Sequence, residues 1–377
     1  MKLRDYQTET INQVRQALAS GCKRPIVQAS TGSGKTVTIA EIIKLAVAKG
    51  KKVCFFVDRI QLVNQSSAML DSFGIRHGII QADNPRHNLD HPVQVASIQS
   101  YHRRKVRWDF DLGINDEAHI LFEKHVALMK LWKPVPFIGF TATPYTRGLG
   151  NVYNKLINPI SMQELIDQGY LVPIRAFGPS QPDMTGVSTV GDDYNQKEAA
   201  EKAMEPKLVA SIIDTWHAMA NGKPSLCFAQ NILHSKYIVE EFIKSGASAV
   251  HIDAYTDSDK VRDIIKSFNK REFDILASVG KLTTGFDSPI AEVGIMARIT
   301  KSVSLWDQML GRLLRISEGK TEALILDHAG NFERLLFPTD TRPTELCTRK
   351  KGERKPKEKE EPKPKACPKC KFMRPVK

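Results

Sequence analysis

The feature that most constrains this chain is the octapeptide ASTGSGKT, Ala29 to Thr36. A short apolar run, Pro25 to Gln28, precedes it, and TVTIAEIIKLAVA follows with Ile39, Ile42, Ile43, Leu45 and Ala46 at helical spacing. A strand that turns through a glycine loop into a helix aims backbone N–H groups and the helix N-terminus at one point, where they bind phosphate oxygens. Gly32 and Gly34 let the backbone curl. Lys35 is then placed to neutralise the β and γ phosphates of a nucleotide, and Thr36 to ligate Mg²⁺. Ala29 stands where the general pattern has glycine, and a small residue still fits there.

INDEAH, Ile114 to His119, closes a later apolar run. Alone, such a string reads as an exposed acidic turn. Behind a phosphate loop, Asp116 can hold Mg²⁺ through water and Glu117 can polarise the attacking water. Asn115 is polar at a strand position that is usually apolar.

Short runs rich in Val, Ile and Phe alternate with helix-period segments. They fall at 25–28, 53–57, 93–96, 110–114 and 137–140, and again at 225–229, 249–252, 273–277, 292–296 and 322–326. This alternation predicts parallel sheets with crossover helices, in two α/β units. The predicted division is 1–148 for the first domain, 149–173 for a linker, 174–337 for the second domain and 338–377 for a disordered basic tail. Pro173 to Met204, with Pro173, Pro179, Pro182, Gly186 and Gly191, reads as irregular connection. The lysine-, glutamate- and proline-rich tail holds too little apolar surface to order itself.

The net charge of +13 is uneven, because Arg342 to Lys377 carries 14 Lys and Arg against 5 Asp and Glu. That tail favours a polyanionic partner. No apolar run is long enough for a membrane span, and MKLRDYQTET lacks a signal-peptide core, so a cytoplasmic protein is expected. Six cysteines spread thinly along the chain do not form a disulfide framework. Cys367 and Cys370 have zinc-knuckle spacing, so Zn²⁺ is expected only if further ligands complete the ribbon.

With GKT and DEAH both present, the chain resembles a superfamily-two helicase of the DEAD/DEAH-box kind. LRDYQ (3–7) resembles the adenine-reading motif, and FFVDRIQLVNQ (55–65) and VASIQSY (95–101) the strand-contacting motifs. TAT (141–143) resembles the coupling motif, and LTTGFDSP (282–289) and QMLGRLLR (308–315) the fifth and sixth motifs. The resemblance implies two tandem RecA-like (P-loop NTPase) domains that clamp one ATP. Arg4, Gln7, Thr31, Gly32, Ser33, Gly34, Lys35, Thr36, Gly285 and Asp287 would bind the nucleotide. Arg312 and Arg315, three apart and so on one helix face, would stabilise charge on the γ-phosphate. His119, Thr141, Thr143 and Gln308 would couple hydrolysis to the strand.

LTTGFDSP, KSVSLWDQMLGRLLR, GKTEALILDHAGN and the terminal CPKC are similar to the RadD-like bacterial repair helicases and their phage relatives. That narrower likeness implies DNA rather than RNA, in replication, recombination or repair, with a single-strand-binding or repair protein as partner. YHRRKVRW (101–108) mixes cations with aromatics, so Arg103, Arg104, Lys105 and Arg107 could hold phosphates while Tyr101 or Trp108 stacks on a base. Packing of Trp108 under the first domain is the equal alternative. Arg59 is a further phosphate contact. An RNA helicase and an ATP-gated strand-annealing protein remain the rival functions. A restriction-system motor is a third, though no nuclease constellation is evident.

Overall fold

The computed structural model describes residues 3–57, 60–81, 83–103, 108–120, 123–280, 288–340, 342–349 and 362–375. The chain divides into two compact units: residues up to Ser161 with 342–349, and Met162 onward to 340 with 362–375.

In the first unit α1 (Asp5–Ala19), β1 (Pro25–Gln28), α2 (Lys35–Val47), β2 (Val53–Val57), α3 (Ile60–Ser72) and β3 (Gly78–Ile80) come in turn. They are followed by β4 (Val93–Ser97), α4 (Ile98–Arg103), β5 (Leu112–Asn115), α5 (Glu123–Leu131), β6 (Phe137–Thr141) and β7 (Lys155–Ile157). The strands form a parallel sheet in the order β3-β4-β2-β5-β6-β1-β7. β2, VCFFV, shows why the sheet is covered on both faces. Val53, Phe55 and Val57 join the core layer of α1, α2 and α3, while Cys54 and Phe56 join that of α4 and α5. A strand apolar on both faces is stable only under two helical layers, and each fully buried large side chain contributes roughly 1.5–3 kcal/mol.

β7 and Tyr153 come from the stretch expected to be linker, and β7 pairs with β1. Their inclusion explains Asn115. Its Nδ2 donates to Tyr153 Oη at 2.9 Å, so the amide at the end of β5 is buried with a partner. Burial pushes the Tyr153 hydroxyl pKa up, against the Asn115 hydrogen bond.

The second unit begins with α6 (Met162–Asp167), β8 (Ile174–Phe177), β9 (Thr189–Val190), β10 (Asp193–Tyr194), α7 (Gln196–Ala203) and α8 (Pro206–Ala220). It continues through β11 (Ser225–Phe228), α9 (Ile232–Lys244), β12 (Ala249–Ile252), α10 (Ser258–Asn269) and β13 (Ile275–Ser278). β14 (Val293–Met296), α11 (Val303–Leu313), β15 (Ala323–Asp327), α12 (Asn331–Leu335) and β16 (Phe372–Met373) complete it. The sheet order is β12-β13-β11-β14-β15-β8-β16, with β9 and β10 as a separate hairpin. Asn231, Asp257 and Ser302 start α9, α10 and α11 by accepting backbone N–H bonds on their side chains.

Two expectations are corrected here. Pro173 to Met204 is not simply irregular: Pro173 and Pro179 flank β8 rather than interrupt it, so Ile174–Phe177 can pair with β15. The tail is not disordered throughout. Leu346 packs on the first core, and β16 adds antiparallel to β8 with Met373 only 3% exposed and Phe372 ringed against Phe177 at 5.4 Å. A few apolar residues suffice there because an open sheet edge offers a row of unpaired backbone N–H and C=O groups for a further strand to bond.

Candidate nucleotide site

The loop after β1 is fixed to the sheet by Ala29, whose N–H donates to Thr141 O at 2.8 Å. Gly32 and Gly34 take φ of 88° and 75°, the left-handed region that a side chain resists. At Gly34 a Cβ would also lie 2.5 Å from Gln7 Nε2. Gly34 is the N-cap of α2 and no side chain caps that helix, so its first amides face the loop. Thr36 is exposed on the first turn.

β5 delivers the acidic residues to the same place. Lys35 Nζ lies 2.6 Å from Asp116 Oδ1 and 2.7 Å from Glu117 Oε1. Burial opposes the Lys35 charge, but the two carboxylates and their hydrogen bonds outweigh it and raise its pKa. Glu117 has φ of 48°, and its N–H donates to Asp116 Oδ1 at 2.9 Å. This turn swings the Glu117 carboxylate back over the loop. His119 Nδ1 stands 3.4 Å from Glu117 Oε2 and 2.9 Å from Thr141 Oγ1, which also accepts the Thr143 N–H at 3.0 Å. Burial holds the His119 pKa below its usual value, so the ring is neutral near pH 7. The acidic motif and TAT are thus joined by one hydrogen-bonded chain.

α1 braces the loop from the other side. Tyr6 Oη donates to Ser33 O at 2.6 Å and receives Arg4 Nη1 at 2.9 Å. Gln7, 3% exposed, accepts the Arg4 N–H on Oε1 and directs Nε2 at Ser33 O and Gly34 O. In this arrangement the Gln7 amide is a strut under the loop. Tyr6 was missed in the sequence, although it sits beside Gln7.

The ammonium, the exposed threonine hydroxyl, the two carboxylates and the uncapped helix start suit a magnesium nucleotide in charge and donor type. When bound, that group would supply a phosphoanhydride bond whose terminal phosphoryl group passes to water, leaving the nucleoside diphosphate. Lys35 would bind the phosphates, Thr36 and Asp116 would hold the metal, and Glu117 would take a proton from water at its carboxylate.

Gln308 and Arg312 lie on α11, in the second unit. Arg315 does not share their helix, because α11 ends at Leu313 and Arg315 instead forms an antiparallel bridge with Leu171. Its pKa is lowered by burial. Gly285, Asp287, Arg59, Arg104, Lys105 and Arg107 lie outside the described residues, and Arg103 ends α4.

Of the two readings of Trp108, the structure has the packed one and not the stacking platform: it is 5% exposed, stacks on Phe110 at 6.3 Å and donates Nε1–H to Leu89 O at 2.9 Å. Tyr101 is buried likewise and donates to Trp108 O at 3.1 Å. A ring enclosed in this way has no face for a base. Zn²⁺ is not supported either. Among the described residues no three His, Cys, Asp or Glu side chains gather as a metal site, and Cys347 belongs to a different unit from Cys367 and Cys370. No helix among the described residues is long and apolar enough to cross a membrane.

A glycine loop and an acidic turn at the carboxyl ends of parallel strands define a P-loop nucleotide-binding protein with RecA-like sheets. Residues 1–146 match the family described as "Type III restriction enzyme, res subunit", and 206–317 match "Helicase conserved C-terminal domain". A 51.5 kDa protein of a Lactococcus phage is 28% identical over 93% of this chain and 75% of its own length. A Saccharomyces cerevisiae protein provisionally named ATP-dependent helicase IRC3 is 27% identical over 87% of this chain. The chain spans 51% of that yeast relative.

Among solved structures, a fragment ascribed to the HsdR subunit of a type I restriction enzyme from Vibrio vulnificus YJ016 matches with a TM-score of 0.70 and 23% identity. The match covers 88% of this chain and 65% of that one. The ATP-dependent Type ISP restriction-modification enzyme LlaBIII bound to DNA matches at 0.63 and 18% identity, over 91% of this chain and 28% of that one. These structural likenesses show the RecA-like helicase fold. The two family matches and the yeast relative named as a helicase support a superfamily-two helicase, imply ATP hydrolysis and support nucleic-acid binding.

Proposed function

We propose that the chain is an ATP-dependent DNA helicase or translocase of the RadD-like type, acting in replication, recombination or repair. The observation that carries this reading is the Lys35–Asp116–Glu117 cluster at the glycine loop, linked through His119 to Thr141 and Thr143. Charge change at Glu117 can reach TAT along that chain, which is the coupling a motor needs. Catalysis is then positioning and electrostatics, since phosphoryl transfer leaves a protein little covalent work. Thr36 and Asp116 would hold Mg²⁺, and Arg312 and Arg315 would stabilise charge on the γ-phosphate in the transition state. The two units, divided along the chain between Ser161 and Met162, are the working domains.

DNA is favoured over RNA by the LlaBIII complex and by the restriction-enzyme family match. A cytoplasmic site in a bacterium or phage-infected host agrees with the Lactococcus phage relative. The test is ATP turnover by the full chain with single-stranded, duplex and forked DNA and with matched RNA, alongside Glu117→Gln. Stimulation by DNA, lost in Glu117→Gln while ATP still binds, is expected. Stimulation by RNA alone would make the protein an RNA helicase, and annealing without strand displacement would make it an ATP-gated annealer.

A further inference from the structure

The second unit buries a cation, Lys320 of the GKTEALILDHAGN phrase, to which the motif readings above give no role. Lys320, beyond the end of α11, is 8% exposed. Its Nζ donates to Leu313 O at 2.6 Å, Ala291 O at 2.6 Å and Pro289 O at 3.4 Å. Burial pulls its pKa down to about 8, opposed by Glu292 and aided by Arg315, so it remains an ammonium at neutral pH. Glu292 itself pairs with Arg271 at 3.1 Å. A buried ammonium is costly unless its donors are used, and here they meet carbonyls.

The identity of those carbonyls gives the arrangement its meaning. Leu313 is the last residue of α11, where unpaired carbonyls and the helix dipole favour a positive charge. Pro289 and Ala291 are at and just beyond the end of LTTGFDSP. One side chain therefore joins the end of the fifth motif to the end of the sixth-motif helix. The next carbonyl, Leu314 O, accepts the Val172 N–H at 2.9 Å, and Arg315 pairs with Leu171. The turn that carries Arg312 and Arg315 is held by these two anchorages together.

We infer that Lys320 is a positioning residue for Arg312 and Arg315, fixing the carboxyl end of α11 against the 289–291 segment so that both guanidinium groups keep one orientation during ATP turnover. This rests on the motor reading, which is checked separately by requiring wild-type turnover above that of Lys35→Ala. Full-length Lys320→Met, Lys320→Gln and Lys320→Arg are compared with wild type by steady-state kinetics, nucleotide binding and thermal unfolding. In Met and Gln variants that unfold cooperatively, kcat falls about 10-fold or more while the ATP Kd stays within about 3-fold, and Arg restores part of the loss. A kcat within about 3-fold of wild type in the Met variant overturns the inference. So does an equal loss of binding and turnover, or loss of cooperative unfolding in all three variants, since either makes Lys320 a general scaffold residue.

Discussion

The two units are built on one plan and put to different uses. If the strands of each sheet are numbered from one, leaving aside the β9–β10 hairpin, both sheets have the order 3-4-2-5-6-1-7. After its first strand, the first unit has ASTGSGKT; the second has GPSQPDMT, Gly178 to Thr185. After the fifth strand, one has DEAH and the other ARIT, Ala297 to Thr300. Only the first unit sets a lysine between two carboxylates there. Topology supplies a crevice at the carboxyl edge of each sheet, and the loop residues decide whether it handles phosphate. The seventh strands differ too, β7 being parallel to β1 and β16 antiparallel to β8.

The sharpest way to break this comparison is Lys35→Ala. ATP turnover should fall to background, a loss on the order of 10³ or more, because the second unit has no lysine in the equivalent loop. Residual strand-stimulated hydrolysis in a stopped or coupled ATPase assay would mean that the second sheet handles phosphate as well.

Arg312→Ala is next, with turnover down about 10³ and ATP affinity nearly intact, as for an arginine finger. Arg315→Ala should cost less, since it lies off the helix in a backbone bridge. Equal losses in the two would show that position on α11 does not separate them.

Packing differences come after catalysis. Trp108→Ala should destabilise the first unit by about 3–5 kcal/mol, while Met373→Ala should destabilise the second by about 2–5 kcal/mol. Chemical denaturation followed by hydrogen exchange reads which unit loosens. If Trp108→Ala leaves stability alone but weakens strand binding, the ring is a platform after all.

The smallest effect is on pH. Burial lowers His328 to about 3 and His234 to about 4 in the second unit, and His125 to about 4 in the first. Their unfolded values are higher, so below about pH 6.5 the unfolded chain binds protons that the native chain refuses, and stability falls as pH falls. Each such histidine should cost up to about 1.4 kcal/mol per pH unit until its folded pKa is reached. Burial lowers His77 and His119 of the first unit as well, so amide protection should fall in both units when unfolding is followed from pH 7 to 4, and protection that is unchanged over that range would sink the reading.

Most strands were legible because a buried parallel strand is apolar on both faces: VCFFV and PIVQ could hardly be anything else. β7, KLI, and β16, FM, were not legible. They are too short to carry a period, and they are strands only because β1 and β8 offer an edge. Asn115 announced itself as an anomaly, but its partner lies 38 residues on, in a segment that looked like a linker. Trp108 was ambiguous because the same aromatic serves a core or a base, and enclosure by Phe110 and Leu89 is a tertiary fact.

By itself the sequence determined the phosphate chemistry of the first unit. A lysine, a threonine and glycines at fixed spacing on a strand-to-helix turn make a local geometry that needs little else from the chain. Only tertiary structure brought Asp116 and Glu117, 81 and 82 residues away, onto Lys35, and His119 onto Thr141. It alone turned Gln7 under the loop, ended α11 before Arg315 and buried Lys320 among carbonyls. Local spacing fixes what a short segment can bind, whereas a partner across the sheet depends on strand order, which no single segment encodes.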